Sequence, residues 1–465
     1  MSNFRTEHDS LGEVAVPKTA LYGAQTQRAI NNFQVSGRTG HPALLRAYLR
    51  LKAAAAQANQ QAGVLDEARA QAIVQAADKV LSQPVEGWGA LFPVDPYQAG
   101  AGTSQNMNTN EVLANVANQQ AGGELGSYHW IHPNDHVNRS QSTNDTYPTV
   151  MRLALLEDSR ELLVELKQLA ESFAVLGQRW NHLPKSGRTH LQDAVPMRLG
   201  QEFAAYGVAV HQCAGWITQA RGELLDLGIG GSAVGTGLNV PAGYVPAILI
   251  EIARLTGDPV RGAPNLVAAM QSQAPVALYS SMLRVACLEL TRICNDLRLL
   301  ASGPMTGLSE ILLPAVQPGS SIMPGKVNPS IIEMANQTWF SVLGYDQTVA
   351  YAMQAGQLEL NVMMPMMAYA TLEATRVFTH ATRILRTLCL DGMQANEPRL
   401  RKFYESTPQI ATALSPRLGY EKVAELVKEA VQTERSVVEI VRERQLIPEA
   451  ELLALIDVNA VTGPG

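Results

Sequence analysis

The sequence predicts a mainly α-helical protein built around a bundle of long helices. Apolar residues recur at helical spacing over several long runs, strand-like alternation is scarce, and polar loops separate the runs. The chain has 465 residues, of which 46% are hydrophobic and 17% charged. That is too long for one ordinary core and too apolar for disorder.

Residues 1–45 are mixed, with Pro17, Gly23 and Gly40 as breakers, and an alanine-rich stretch over 42–82 reads as helix. Residues 83–145 are dense in Gly, Pro, Asn, Ser and Thr, the composition of functional loops between short helices. Over 146–180, Met151, Leu155, Leu162, Leu166, Leu169, Phe173 and Leu176 mark one face of a helix, about 50 Å long. Further helical runs cover 198–227, 267–301 and 330–390, the last broken near Gly356 and Pro365. Helices this long bury their faces only against each other, so the expected core is an elongated bundle. Surplus apolar faces point to packing between copies of the chain. The charged tail reads as a small helical cap, giving expected domains 1–140, 141–393 and 394–465.

A net charge of −6 without a basic run argues against nucleic acid as a partner. Cys213, Cys287, Cys294 and Cys389 have no metal-ligand spacing and lie in apolar, helix-like stretches. They read as buried free thiols in a reducing cytoplasm. The start lacks the apolar core of a signal peptide. No segment approaches about eighteen uninterrupted apolar residues, so no membrane span is expected.

Four polar segments could carry chemistry. In Gly100-Ala-Gly-Thr-Ser-Gln-Asn-Met-Asn-Thr-Asn-Glu111 a glycine turn feeds a helix N-terminus, a natural anion site. In His132-Pro-Asn-Asp-His-Val-Asn-Arg-Ser-Gln-Ser-Thr-Asn-Asp145 the run Ser142-Thr143-Asn144-Asp145 directly precedes the long helix expected from Thr146. One cap residue starts a helix, so the others are left to bind a carboxylate at the positive end of the dipole. Gly187-Arg-Thr-His-Leu-Gln-Asp-Ala-Val-Pro196 places Thr189 and His190 in a turn expected just before another helix. The fourth, Gly319-Ser-Ser-Ile-Met-Pro-Gly-Lys-Val-Asn-Pro329, packs hydroxyls, a cation and an amide between hinge residues. Ser330 and Glu333 are expected to form a capping box behind it. His129, His132 and His136 with Asp135 invite a metal reading, but Pro133 interrupts them and no His-Glu-x-x-His accompanies them. No metal is expected.

In order and spacing, the four segments resemble the motifs of the fumarase/aspartase superfamily, and the resemblance runs from Asp9-Ser-Leu-Gly12 to the C-terminal cap. The argininosuccinate and adenylosuccinate lyases usually carry a second basic residue at the Val327 position, so Lys326-Val-Asn-Pro329 is similar to the fumarase and aspartase branch. The resemblance implies three mostly helical domains and a homotetramer with a multi-helix core. Each active site would draw on three subunits, with no cofactor. It implies Ser320 as the base that removes a Cβ proton through an aci-carboxylate intermediate. Lys326 and His190 would be its catalytic companions, with Thr103, Ser142, Thr143, Asn144, Thr189 and Asn328 binding the dicarboxylate substrate. Phe92-Pro-Val-Asp-Pro-Tyr-Gln98, Asp135-His-Val-Asn138 and Gln141-Ser-Thr-Asn-Asp145 resemble the ammonia-releasing branch, whereas Ile131-His-Pro-Asn-Asp135 resembles the second carboxylate site of fumarases. The expected reaction is deamination of L-aspartate to fumarate. The alternatives are fumarate hydration, cleavage of another substituted succinate, or a non-catalytic scaffold. Met364 and Ser415 depart from the residues usual in the family, a polar or charged residue and Asn respectively.

Overall fold

A computed structural model describes residues 3–463. The chain opens with an antiparallel hairpin of β1 (Phe4–Asp9) and β2 (Gly12–Pro17). Helix α1 (Ala24–Asn32) has no side-chain cap from its own N-cap residue. Its leading amides go instead to two buried carboxylates. Glu7 accepts from Ala24 at 3.0 Å, and Glu111 accepts from the backbone N–H of Gly23, Gln25 and Thr26. Helix starts carry unsatisfied donors, so anions settle there. Burial still pushes the Glu111 carboxyl up to about 7, against those donors.

The alanine-rich stretch forms α2 (Pro42–Gln61) and α3 (Glu67–Leu81). His41 caps α2 by accepting from Ala43 N through Nδ1, and Pro42 sits in the first turn, where a missing N–H costs nothing. Leu45, Leu49, Ile73, Val80, Val112 and Ile131 belong to one core. It joins these helices to α4 (Trp88–Leu91) and α5 (Thr103–Gln120).

The long helix α6 (Thr143–Arg179) has 37 residues. It begins at Thr143 rather than the expected Thr146. Ser142 caps it there, accepting from Asn144 N at 3.2 Å, and Asp145 turns back to accept from Ser142 N at 3.0 Å. A hairpin of β3 (Pro184–Thr189) and β4 (Gln192–Arg198) precedes α7 (Leu199–Gly222). Thr189 and His190 therefore sit at a hairpin tip, not directly before a helix. Next come β5 (Asp226–Leu227), α8 (Tyr244–Thr256), β6 (Arg261–Gly262), α9 (Leu266–Gln271) and α10 (Ala274–Leu300), with β5 and β6 parallel. The run expected as one helix over 267–301 is thus two, because Ser272 adopts an extended conformation.

Then follow β7 (Ile311–Leu312), α11 (Ser330–Gln354), α12 (Met364–Leu385) and β8 (Gln394–Ala395), which pairs antiparallel with β7. The gap between α11 and α12 matches the break expected near Gly356 and Pro365. The expected capping box is absent. Ser330 is the first residue of α11, its hydroxyl is buried without a partner, and Glu333 N is satisfied by the Pro329 carbonyl. The tail forms α13 (Glu397–Ser406), α14 (Ser415–Leu418), α15 (Tyr420–Thr433), α16 (Val437–Glu443), α17 (Glu449–Leu455) and α18 (Val458–Val461). These close on a core that includes Ile410, Leu414, Leu426, Ile440 and Leu452.

Contacts divide the chain into two compact units. One comprises Met1–Leu163, Gly215–Val285 and Phe340–Phe378, and the other Val164–Ala214, Ala286–Trp339 and Thr379–Gly465. In the first, Asp258 pairs with Arg160 and Arg221 at 2.6 Å, and Asp346 holds Ser280 and Arg284 at 2.8 Å. In the second, Phe173, Trp180, Phe203 and Tyr206 stack edge-on or tilted, and Glu165 pairs with Arg383 at 2.7 Å. All four cysteines are buried and free. No helix among the described residues is long and apolar enough to cross a membrane.

Candidate active site

In the first unit, two helix starts carry the expected anion-binding residues. Gly102, with φ at 81°, caps α5 and puts Thr103 at its exposed first position. Ala101 N is fixed by the Val362 carbonyl at 3.0 Å. Asn106, one turn along α5, donates Nδ2 to Thr143 Oγ1 at 3.1 Å. The start of α5 and the start of α6 are therefore tied together, and Thr103 shares a neighbourhood with Ser142, Thr143 and Asn144. Asn144 donates Nδ2 to the Ala233 carbonyl at 2.8 Å.

Beneath these residues lies a polar network that sequence reasoning missed. Lys52 is fully buried and donates to Asn138 Oδ1 at 3.0 Å and Gln141 Oε1 at 2.9 Å. Asn106 and Asn110 also donate to Asn138 Oδ1, both at 3.2 Å. Asp145, read from sequence only as one of four capping types, is completely buried. It accepts from Gly230 N and Ser232 N as well as from Ser142 N. Burial pushes its carboxyl up to about 7, and the same cause pulls the Lys52 ammonium down to about 7, each opposed by the other's charge. The available signal was a lone charge in the apolar stretch Leu51-Lys52-Ala53-Ala54.

In the second unit, the Ser320 segment is a loop pinned at its ends. Gly319 N donates to the Lys326 carbonyl at 2.8 Å, and Asn328 Nδ2 donates to the Gly319 carbonyl at 2.7 Å. The half-buried Ser320 points its Oγ at two amides. It accepts from Ile322 N at 3.2 Å and Met323 N at 3.1 Å. Residues 321–327 are exposed, Lys326 among them. Lys326 borders a cavity of about 540 Å³ with Ser320 and a second of about 950 Å³ that reaches Arg298, Ser302, Asn328 and Glu333. The loop thus brings Ser320, Lys326 and Asn328 together. Thr189 and His190 are exposed at the β3–β4 tip, where His190 and Leu191 take φ of 57° and 58°.

The histidines of the second motif cap a turn. His132 Nδ1 accepts from Asn134 N and Asp135 N at 3.3 Å, and His132 N donates to His136 Nδ1 at 2.8 Å. No group of three or more His, Cys, Asp or Glu among the described residues is arranged to hold a metal ion. Met364 is fully buried at the start of α12, where an apolar side chain is at home. Nothing in the structure explains Ser415.

Residues 12–344 match the family described as lyase, and residues 410–463 match fumarase C C-terminus. The chain is 43% identical to an aspartate ammonia-lyase of a Bacillus species over 465 residues, covering 100% of this chain and 98% of that protein. It is 43% identical to the aspartate ammonia-lyase of Bacillus subtilis strain 168, covering 99% and 97%. Among solved structures, a fumarate lyase:delta crystallin from Brucella melitensis bound to cobalt superposes with a TM-score of 0.95. It has 41% identity and covers 99% of this chain and 100% of that one. A class II fumarase from Schistosoma mansoni gives 0.92 at 33% identity, covering 98% of each.

Proposed function

The chain belongs to the lyase family that it matches over residues 12–344, and from that premise we propose that it eliminates ammonia from L-aspartate to release fumarate. The observation that carries the chemistry is the Ser320 oxygen, which accepts backbone N–H bonds from both Ile322 and Met323. Two donors aimed at one oxygen favour its alkoxide. An alkoxide is the base that a weakly acidic Cβ proton requires. Ser320 takes that proton, and the electron pair moves into the adjacent carboxylate as an aci-carboxylate dianion. The pair then returns to form the carbon–carbon double bond as the Cα–N bond breaks. Nitrogen keeps the electrons of that bond and leaves as ammonia. The proton on Ser320 passes to solvent.

The dominant contribution is stabilisation of the dianion. Lys326 supplies a cation on the same loop. Asn328, Thr103, Ser142, Thr143, Asn144 and Thr189 supply donors to the two carboxylates, and His190 lies beside the leaving group. These steps use no cofactor. The working form in this reading is a homotetramer whose sites each draw residues from three copies. Exposed apolar side chains on the long helices support this, among them Val175, Trp216, Leu288, Leu299, Phe340 and Tyr351. Four free buried thiols fit a cytoplasmic location.

The test is ultraviolet absorbance of fumarate with L-aspartate or L-malate as substrate. Fumarate and ammonia in equal amounts from aspartate, and none from malate, is the expected result. S320A lowers kcat by about 10²–10⁴-fold with the oligomer intact. A second reading, hydration of fumarate, is favoured by the fumarase C match at 410–463, and turnover of malate alone would establish it. Silence with both substrates would point to another substituted succinate or to a scaffold.

A further inference from the structure

Glu310 is fully buried, just upstream of the Ser320 loop. Its backbone is fixed on both sides: its N–H donates to the Leu300 carbonyl at 2.8 Å, and Asn396 N donates to its carbonyl at 2.9 Å. Its two carboxylate oxygens face two cations. Oε2 lies 3.0 Å from Lys185 Nζ, and Oε1 lies 2.7 Å from an Arg188 guanidinium nitrogen. Neither contact is aligned as a hydrogen bond, so charge rather than a directed N–H holds the oxygens. Lys185 also reaches Glu202 at 2.6 Å. Two cations thus meet two carboxylates, with Glu310 and Lys185 buried and Arg188 and Glu202 half-buried around them. A buried charge is retained only when paired in this way.

Both cations belong to β3, and Arg188 directly precedes Thr189. Beyond Thr189 the hairpin turns on His190 and Leu191, both left-handed. That is the two-residue turn favoured by the natural twist of a hairpin, so the tip follows the strand that carries it. Arg188 is held on a second side, with its guanidinium 5.4 Å from the centre of the Phe403 ring. Arg399 lies over the same ring at 4.6 Å and donates to the Leu308 and Gly307 carbonyls at 2.9 and 2.7 Å. One clamp therefore grips the hairpin and the segment that leads into the Ser320 loop.

We propose that Glu310 is a positioning residue for the reaction: through Arg188 it fixes the β3–β4 tip, so that Thr189 and His190 meet the substrate in one orientation. The proposal rests on the reading that Thr189 and His190 touch substrate. Glu310 itself touches none. Misplacing a reacting group by about 1 Å costs about 100-fold in rate, which sets the size of the effect.

The experiment compares E310Q, R188M, their double variant and E310D in the full-length protein, with kcat and KM referred to the folded fraction. E310Q and R188M should each lower kcat/KM about 100-fold, with most of the loss in kcat. The double variant should be no worse than either single one, because both act on one contact. E310D should recover part of the loss. Normal kcat/KM in folded E310Q, or losses that multiply in the double variant, would overturn the proposal. If E310Q does not fold, R188M decides alone, and unchanged kcat/KM there would overturn it. T189A and H190A separate the two layers. If both keep full turnover, the reading of the tip as part of the site fails and the proposal with it. If they lose turnover while folded E310Q does not, only the proposal falls.

Discussion

Replacing Gly102 by alanine tests the joint between the two helix starts. Gly102 has φ at 81°, caps α5 and directly precedes Thr103. A Cβ added there would lie 1.9 Å from Tyr147 Cδ2 and 2.0 Å from Cε2. The left-handed backbone costs an alanine roughly 1–2 kcal/mol. Forcing a methyl into a packed site costs roughly 1–3 kcal/mol more. The ring has little room to yield, since Tyr147 is buried and meets Tyr48 edge-on with centroids 6.0 Å apart. The sum is about 2–5 kcal/mol. Tyr147 lies in the first turns of α6, so its displacement also shifts Thr143 and Asn144. Urea denaturation and steady-state kinetics on G102A should show that fall in stability and a raised KM. A loss below about 1 kcal/mol with KM unchanged would refute the reasoning, because the backbone term alone exceeds it.

Further perturbations follow from the same contacts. Burial holds the His41 imidazole down to about 4 from its usual 6.5. With the folded value depressed, its contribution to stability is full above pH 6.5 and is lost as pH falls toward 4, a drop of roughly 3 kcal/mol. H41N keeps a capping side chain without a proton to gain, so its stability should fall less over that window, and equal slopes in acid denaturation would sink the idea. N138A removes the shared acceptor of Lys52, Asn106 and Asn110. It should cost roughly 1–3 kcal/mol for the worst-stranded group and raise KM, since Asn106 also holds Thr143. Calorimetry that finds N138A as stable as the parent would show that water replaces the acceptor.

Much of the fold and part of the candidate site were legible in the sequence, because they depend on local pattern. The face marked by Leu162, Leu166, Leu169 and Phe173 is a property of neighbours along the chain, and α6 follows it. The polar residues Thr103, Ser142 to Asn144 and Ser320 to Asn328 stood out because such types cluster where helices start and loops turn. Boundaries were less secure. Asp145 folding back onto Ser142 started α6 early, and an extended Ser272 split α9 from α10. The hairpin under His190 hides in the sequence, since its partner strand pairs through a bulge near Ser186. Only the tertiary structure could assign Lys52, Glu111, Asp145 and Glu310. Each reads as an ordinary charge in its own segment. Glu111 takes its donors from Gly23 to Thr26, and Glu310 takes its cations from β3, both distant in the chain. A helix is specified by residues three and four apart. The work of a buried charge is specified by whatever the fold brings within about 3 Å of it, and that is not written in any one stretch.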